Sequence, residues 1–309
     1  MEKKILLAVD GSIHSRHAIH YAVNMSSVVK DLTYTLFHVQ SAISQFLLDE
    51  AKTDYRARTE LKRLVRKNAE LASSMLEKYK ARMVRMGVDE KRINVTTQPR
   101  LLGIAADALE RAQQELYDAI VVGRRGLSRV QKTFMGSVTA SLVEHSRIVP
   151  VWVVDGNVAS MKIMLAADGS ESSLRAVDHL SFMVGANPKI KLKLFHIMPR
   201  LRDYCSIRFD EKDTGIEEVI TRGARRCIEG FYDHALKRLG EVGIGKNQIE
   251  IKVSRRILSV GKAIVDEAKK GGYGTVVIGR RGVSKAFLMG SVSRYVMHGI
   301  SNRALWLVP

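Results

Sequence analysis

KILLAVDGS at residues 4–12 and KIMLAADGS at residues 162–170 are one nine-residue phrase with two substitutions. In each, a short apolar run ends at Asp-Gly-Ser. The run reads as a buried strand, and Asp-Gly-Ser as the turn that stops it and initiates a helix, with the aspartate or serine as cap. The repetition decides the architecture, because the second copy builds again whatever the first builds.

Working outward, TLFHV at 35–39 returns as KLFHI at 193–197, GRRG at 123–126 returns at 279–282, and MGSV at 135–138 returns at 289–292. The spacing between matching residues shrinks along the chain, which is what a duplication followed by two small deletions leaves. A chain of 309 residues accommodates two domains of ordinary size. The expected domains are 1–155 and 161–309, with a short linker around Asp155 to Ser160. Within the first, β-rich runs at 5–9, 33–39, 93–97, 118–122 and 148–154 alternate with segments of helical spacing. The same order returns at 162–167, 191–197, 249–253, 274–278 and 303–308. That rhythm predicts two tandem five-stranded, doubly wound α/β domains with parallel sheets. A strand order of 3-2-1-4-5 would set the carboxyl ends of strands one and four side by side, where such sheets bind ligands.

Composition narrows the class further. Five prolines and 27% charged residues show no long disordered tract, and no apolar run approaches the length of a spanning helix. The expectation is a cytoplasmic protein with no membrane segment. Cys205 and Cys227 are isolated, which argues against a disulfide framework or a structural zinc site. The net charge is +18, and both halves are basic: 24 basic against 17 acidic residues up to residue 155, and 26 against 15 after it. This balance suits anionic partners without identifying one.

The glycines after the fourth strand carry the chemistry. Gly123, Gly126, Gly136 and Ser137 follow an apolar run, and a helix is expected from about residue 138 to 146. Bare glycine backbone lets N–H groups approach phosphate oxygens, and a helix start favours an anion, with Ser137 and Thr139 as added hydroxyl donors. The competing reading is structural: Gly123 and Gly126 turn the chain and Ser137 is an N-cap. Asp10 likewise reads as a group for ribose hydroxyls or a water-held divalent ion, or as part of a helix-initiating turn. Arg124, Arg125, Arg280 and Arg281 divide between phosphate contact and a solvated basic loop. GEVGIGKN at 240–247 is rejected as a P-loop, since it ends in Asn247 and precedes a strand.

Other clusters are expected to be structural. His14, His17 and His20 fan across the first helix and are expected to face solvent, without a metal. His38 and His196, inside matching strands, are expected to be packed rather than catalytic. In YRARTELKRLVRK at 55–67, leucines 61 and 64 and Val65 fit one packed helical face, leaving a solvated basic face outside.

The combination of AVDGS at the first strand, FHV at the second and G-x2-G-x9-G-S after the fourth resembles the universal stress protein family in its tandem form, over nearly the whole chain. The resemblance implies ATP binding. Its phosphates would lie on Gly123, Gly126, Gly136, Ser137, Val138 and Thr139, and its nucleoside near Asp10 and Val39. The matching residues of the second copy are Asp168, Ile197, Gly279, Gly282, Gly290, Ser291, Val292 and Ser293. There the glycine loop is two residues shorter, so the first site is expected to be the tighter ATP site, and the second weaker or selective for ADP or AMP. The expected function is a nucleotide-dependent sensor or regulator. The alternatives are a slow ATPase or phosphotransferase using Asp10 with Mg²⁺, and a basic nucleic-acid-binding protein, which the scarcity of aromatics disfavours. The apolar fifth strands, with Trp152 and Trp306, are expected to pair the two domains as an intramolecular pseudo-dimer, with a homodimer of the whole chain also open.

Overall fold

The computed structural model describes residues 1–126, 135–185, 187–198, 214–254, 259–280 and 290–309. These divide into two compact units, one of Met1–Ser26 with Asp31–Val154, the other of Asp155–Pro309 with Ser27–Lys30. The first unit runs β1 (Lys3–Ala8), α1 (Ile13–Met25), β2 (Leu32–Val39), α2 (Gln45–Thr53), α3 (Tyr55–Arg85), β3 (Ile93–Gln98), α4 (Ile104–Gln114), β4 (Ala119–Gly123), α5 (Ser137–His145) and β5 (Val151–Asp155). The second runs β6 (Ile163–Ala167), α6 (Glu171–Val184), β7 (Leu192–Ile197), α7 (Thr214–Glu241), β8 (Ile249–Ser254), α8 (Val260–Lys270), β9 (Thr275–Gly279), α9 (Ser291–Gly299) and β10 (Arg303–Val308).

Every strand pairing within each unit is parallel. The first unit has the order β3-β2-β1-β4-β5, with Ala8 paired to both Phe37 and Val122. The second repeats it as β8-β7-β6-β9-β10. Strands β4, β5, β6 and β9 are buried along their whole length, as parallel strands covered on both faces must be. The fold is therefore α/β and doubly wound, with the switch in winding between β1 and β4 and between β6 and β9.

The Asp-Gly-Ser turns show why the phrase recurs. Ser12 caps α1, its Oγ accepting the Ser15 N–H at 3.1 Å, and Ser170 caps α6 by accepting the Ser173 N–H at 3.3 Å. Gly11 and Gly169 sit at φ +83° and +79°, the left-handed region that a side chain would strain. Several strand and helix limits differ from expectation by one to three residues, and two of them have a plain cause. β5 starts at Val151 rather than 148, because Pro150 has no N–H for the ladder and Ile148 is exposed. α5 starts at Ser137, one residue early, because Gly136 itself is the N-cap.

Helix α3 is packed only over its second half. Ala72, Leu76, Tyr79 and Met83 are buried at helical spacing, whereas Leu64 and Val65 are each 37% exposed. The expected packed face at residues 61–65 is thus largely uncovered. Among the described residues no helix is long and apolar enough to cross a membrane.

Candidate functional site

The β1/β4 switch of the first unit opens into a cavity of about 440 Å³. All eight first-copy residues singled out by sequence line it: Asp10, Val39, Gly123, Gly126, Gly136, Ser137, Val138 and Thr139. Chain order explains the convergence. Asp10 follows β1, Val39 ends β2, Gly123 ends β4, and Gly136 caps α5.

Asp10 is fixed by its own turn. Its Oδ1 accepts the Ser12 N–H at 3.0 Å and the Ser15 hydroxyl at 2.6 Å. Gly126 packs against the other oxygen, so closely that a Cβ there would lie 2.6 Å from Asp10 Oδ2. Gly123 is needed for a different contact, since its Cβ would come within 2.7 Å of the His14 backbone. The three glycines are not interchangeable. Gly136 has φ −61°, so positive φ is not its reason; a Cβ there would meet Arg125 Cα at 3.3 Å and Gly126 N at 3.4 Å. Its N–H donates to the Arg124 carbonyl at 3.0 Å, which holds the helix start against the strand end.

Several expectations change. Ser137 is the first helical residue rather than the N-cap. The Thr139 hydroxyl donates to the Gly123 carbonyl at 2.8 Å and is buried, so its proton ties α5 to β4. Of the arginine pair, Arg125 lines the cavity, whereas Arg124 is buried and does not. Adjacent residues leaving a strand point to opposite faces, which separates them. His14, His17 and His20 are half-buried rather than solvent-facing; the rings of His14 and His17 meet edge to face at 6.3 Å, and His20 pairs with Asn24 at 3.2 Å. Among the described residues no group of His, Cys, Asp and Glu is arranged to hold a metal.

The cavity also gathers residues without a sequence signal. Arg100 lines it from the turn after β3, and Ile104 and Ala108 from α4. An arginine in a loop and two apolar helix residues look like any others. His38 lines it too, its Nδ1 donating to the Val9 carbonyl at 2.7 Å. That bond selects the tautomer with the proton on Nδ1.

The second copy repeats the local contacts. Asp168 Oδ1 accepts from the Ser170 N–H and the Ser173 hydroxyl at 3.0 and 2.8 Å. Gly279 packs on Ser172 as Gly123 packs on His14, with 2.6 Å to a Cβ. Gly290 caps α9, Ser291 and Val292 begin it, and the Ser293 hydroxyl donates to the Gly279 carbonyl at 3.0 Å. Ile197 is buried, as is His196, where burial pushes the imidazole pKa below its ordinary value. Arg280 is buried like Arg124. Gly282, Arg281 and Cys205 lie outside the described residues. Cys227 is a free, exposed thiol.

A parallel sheet wound in both directions, with a glycine-lined cavity at its switch, defines a doubly wound α/β protein. The sequence profile of the universal stress protein family matches residues 1–155 and again 160–303, and the chain belongs to that family in tandem form. It is similar to a universal stress protein of Mycolicibacterium smegmatis, 25% identical over 100% of this chain and 98% of that one. A universal stress protein from Archaeoglobus fulgidus shares the fold, with TM-score 0.62 and 18% identity over 99% of this chain and 97% of that one. A universal stress protein solved in complex with cAMP is 23% identical over 48% of this chain and 95% of its own, with TM-score 0.30.

Proposed function

We propose that this chain is a stress-response protein whose first domain binds an adenine nucleotide, ATP in the first instance, and uses its occupancy as a signal. One observation carries the reading: bare glycine backbone, the α5 start and Arg125 meet in one cavity of about 440 Å³ at the winding switch. The volume lies in the range of small-molecule sites. The α5 start and Arg125 supply partial and full positive charge for phosphates. Gly123, Gly126, Gly136, Ser137, Val138 and Thr139 form the phosphate end and Asp10 and Val39 the nucleoside end. A magnesium ion, where one accompanies the phosphates, would be held by Asp10 through water.

Binding is favoured over turnover. His38 has one ring nitrogen bound to the Val9 carbonyl, and phosphoryl transfer needs a positioned group for the attacking nucleophile as well as a cradle. The decisive experiment purifies the protein without added ligand, denatures it, identifies released nucleotide by mass spectrometry, and titrates ATP, ADP, AMP and cAMP into the emptied chain. Gly136→Val should weaken ATP binding at the first site at least about tenfold while keeping the fold. Unchanged titration would remove the glycine loop from the reading. Steady phosphate release abolished by Asp10→Asn would replace it with an ATPase.

The second domain, with its shorter loop, is proposed as a weaker site or one for ADP or AMP, through Asp168, Ile197, Gly279, Gly282, Gly290, Ser291, Val292 and Ser293. The pairing of the fifth strands as a pseudo-dimer belongs to the same reading, and halves expressed apart that stay monomeric and do not associate would dismiss it.

A further inference from the structure

The cavity has two ends, and only one is explained by phosphate. Strands β3 and β4 are three positions apart in the order β3-β2-β1-β4, a separation of roughly 14 Å at the usual strand spacing. At the β4 end lie Arg125, Gly126 and the α5 start. Toward the ends of β2 and β3 the lining changes character: Val39, Ile104 and Ala108 supply apolar surface beside Gln40 and Ser41, and among the described residues the cation there is Arg100.

Arg100 stands on a turn that is pinned on both sides. The carboxylate of Asp107, 1% exposed, accepts the Leu101 N–H at 3.0 Å and the Leu102 N–H at 2.8 Å. Pro99 precedes Arg100, and Gly103 at φ +147° leads into α4. A turn held this way fixes the backbone from which the exposed Arg100 side chain lines the cavity. In sequence, the second copy keeps an arginine there, Arg256 in RRILSV at 255–260 against PRLLGI at 99–104.

Resting on the nucleotide reading above, we infer that Arg100 is a specificity-determining residue for the nucleobase, its guanidinium stacking on the base against the wall of Val39, Ile104 and Ala108. An apolar wall suits a flat aromatic ring, and a planar guanidinium is the cation that stacks on one. A phosphate at this end would sit against hydrocarbon, away from Arg125 and the α5 start, and the α4 start that lies here carries the carboxylate of Asp107 in its first turn. Asp107 is a positioning residue for this contact.

The test separates the ends by truncating the ligand. ATP and adenosine are titrated into wild type, Arg100→Gln, Arg100→Lys and Arg125→Gln, each checked for fold by circular dichroism. Arg100→Gln should weaken ATP and adenosine alike, by about fivefold, and Arg100→Lys should fail to restore either, because an ammonium keeps the charge and loses the plane. Arg125→Gln should weaken ATP and leave adenosine unchanged. If Arg100→Gln spares adenosine, or Arg100→Lys restores ATP, Arg100 is a phosphate ligand and the inference is overturned. If Arg100→Gln changes neither ligand, it is overturned as well. Wild type that binds neither ligand removes the nucleotide reading itself, a result distinct from all of these.

Discussion

The two units began as copies, and what they share differs in kind from what they have lost. Shared are the contacts that shape the strand ends: glycine against helix (Gly123 on His14, Gly279 on Ser172), hydroxyl to glycine carbonyl (Thr139, Ser293), and histidine to the neighbouring strand (His38 to Val9, His196 to Ala167). The polar interior has diverged. In the first unit the Tyr117 hydroxyl donates to Thr35 Oγ1 at 2.8 Å. At the place of Thr35 the second unit has Lys193, within 2.7 Å of Glu267 and 2.9 Å of Glu250, while Lys252 reaches Glu267 at 2.6 Å. Tyr21 meets Trp152 edge-on in one, His179 meets Trp306 in the other, where burial pushes the imidazole pKa down to about 3. Helix α3 carries ten basic against three acidic residues, the whole surplus of the first half, whereas α7 is balanced at five and five. Duplication preserved the contacts at the strand ends and let the polar interior change.

The largest difference to test is the ion network. Burial opposes the charge on Glu267, but the ammonium groups of Lys193 and Lys252 outweigh it and hold the carboxyl below its ordinary pKa. Glu267→Gln leaves Lys193 covered and short of one partner, and should cost the second unit about 3 kcal/mol at neutral pH in urea denaturation. A depressed carboxylate contributes fully above its unfolded pKa of about 4.3 and loses that contribution as pH falls through the folded value. The gap between wild type and variant should therefore close on acidification below about pH 4.3. Arg111→Gln, at the matching position of the first unit, removes a more exposed ion pair and should cost within about 1 kcal/mol. Equal costs would dissolve the contrast.

Next come the shared glycines. Gly123→Ala and Gly279→Ala each drive a Cβ into helix atoms at 2.7 and 2.6 Å, and each should destabilise its unit by about 2 kcal/mol. Gly136→Ala has a compatible φ and a contact of 3.3 Å, and should cost well under about 1 kcal/mol. If Gly123→Ala is as mild as Gly136→Ala, the close approach of helix and strand is not what the first glycine serves.

These contacts mark the limit of what the chain discloses in one dimension. The strands covered on both faces were legible as short apolar runs, and the more exposed β3 and β8, INVTTQ and IEIKVS, through their β-branched residues and their place in the repeated order. Asp10 and the glycines meeting at the switch were legible through strand order, whereas Val39 and Val138 came only with the family resemblance. What was hidden depends on packing between distant segments. Nothing near Gly123 announces His14 as its neighbour, Arg124 and Arg125 read alike until the backbone sends them to opposite sides, and Arg100 is one arginine among many. The span at 55–67 misled because helical spacing shows that a face exists, not that anything covers it.

The smallest expected effect bears most directly on function. Two explanations predict that the second site is the weaker. One is loop length, nine residues between Gly126 and Gly136 against seven between Gly282 and Gly290. The other comes from the wall: Ala108, which lines the first cavity, is matched by Ile264 in the second unit. Ile264 is buried at the corresponding turn of α8, and its three extra carbons fill space that Ala108 leaves open in the first unit. Loop length acts on the phosphates, and the wall acts on the base. Ala108→Ile should therefore lower affinity of the first site for ATP and for adenosine by a similar factor, about fivefold, or roughly 1 kcal/mol. Lengthening the second loop by two residues should raise affinity for ATP and leave adenosine untouched, while Ile264→Ala should raise both. Calorimetry on the intact chain, with the other site disabled by Gly136→Val or Gly290→Val, reads each case. If Ala108→Ile leaves adenosine binding unchanged, the wall is irrelevant and loop length alone divides the copies; if the two wild-type sites bind ATP equally, neither explanation has anything to explain.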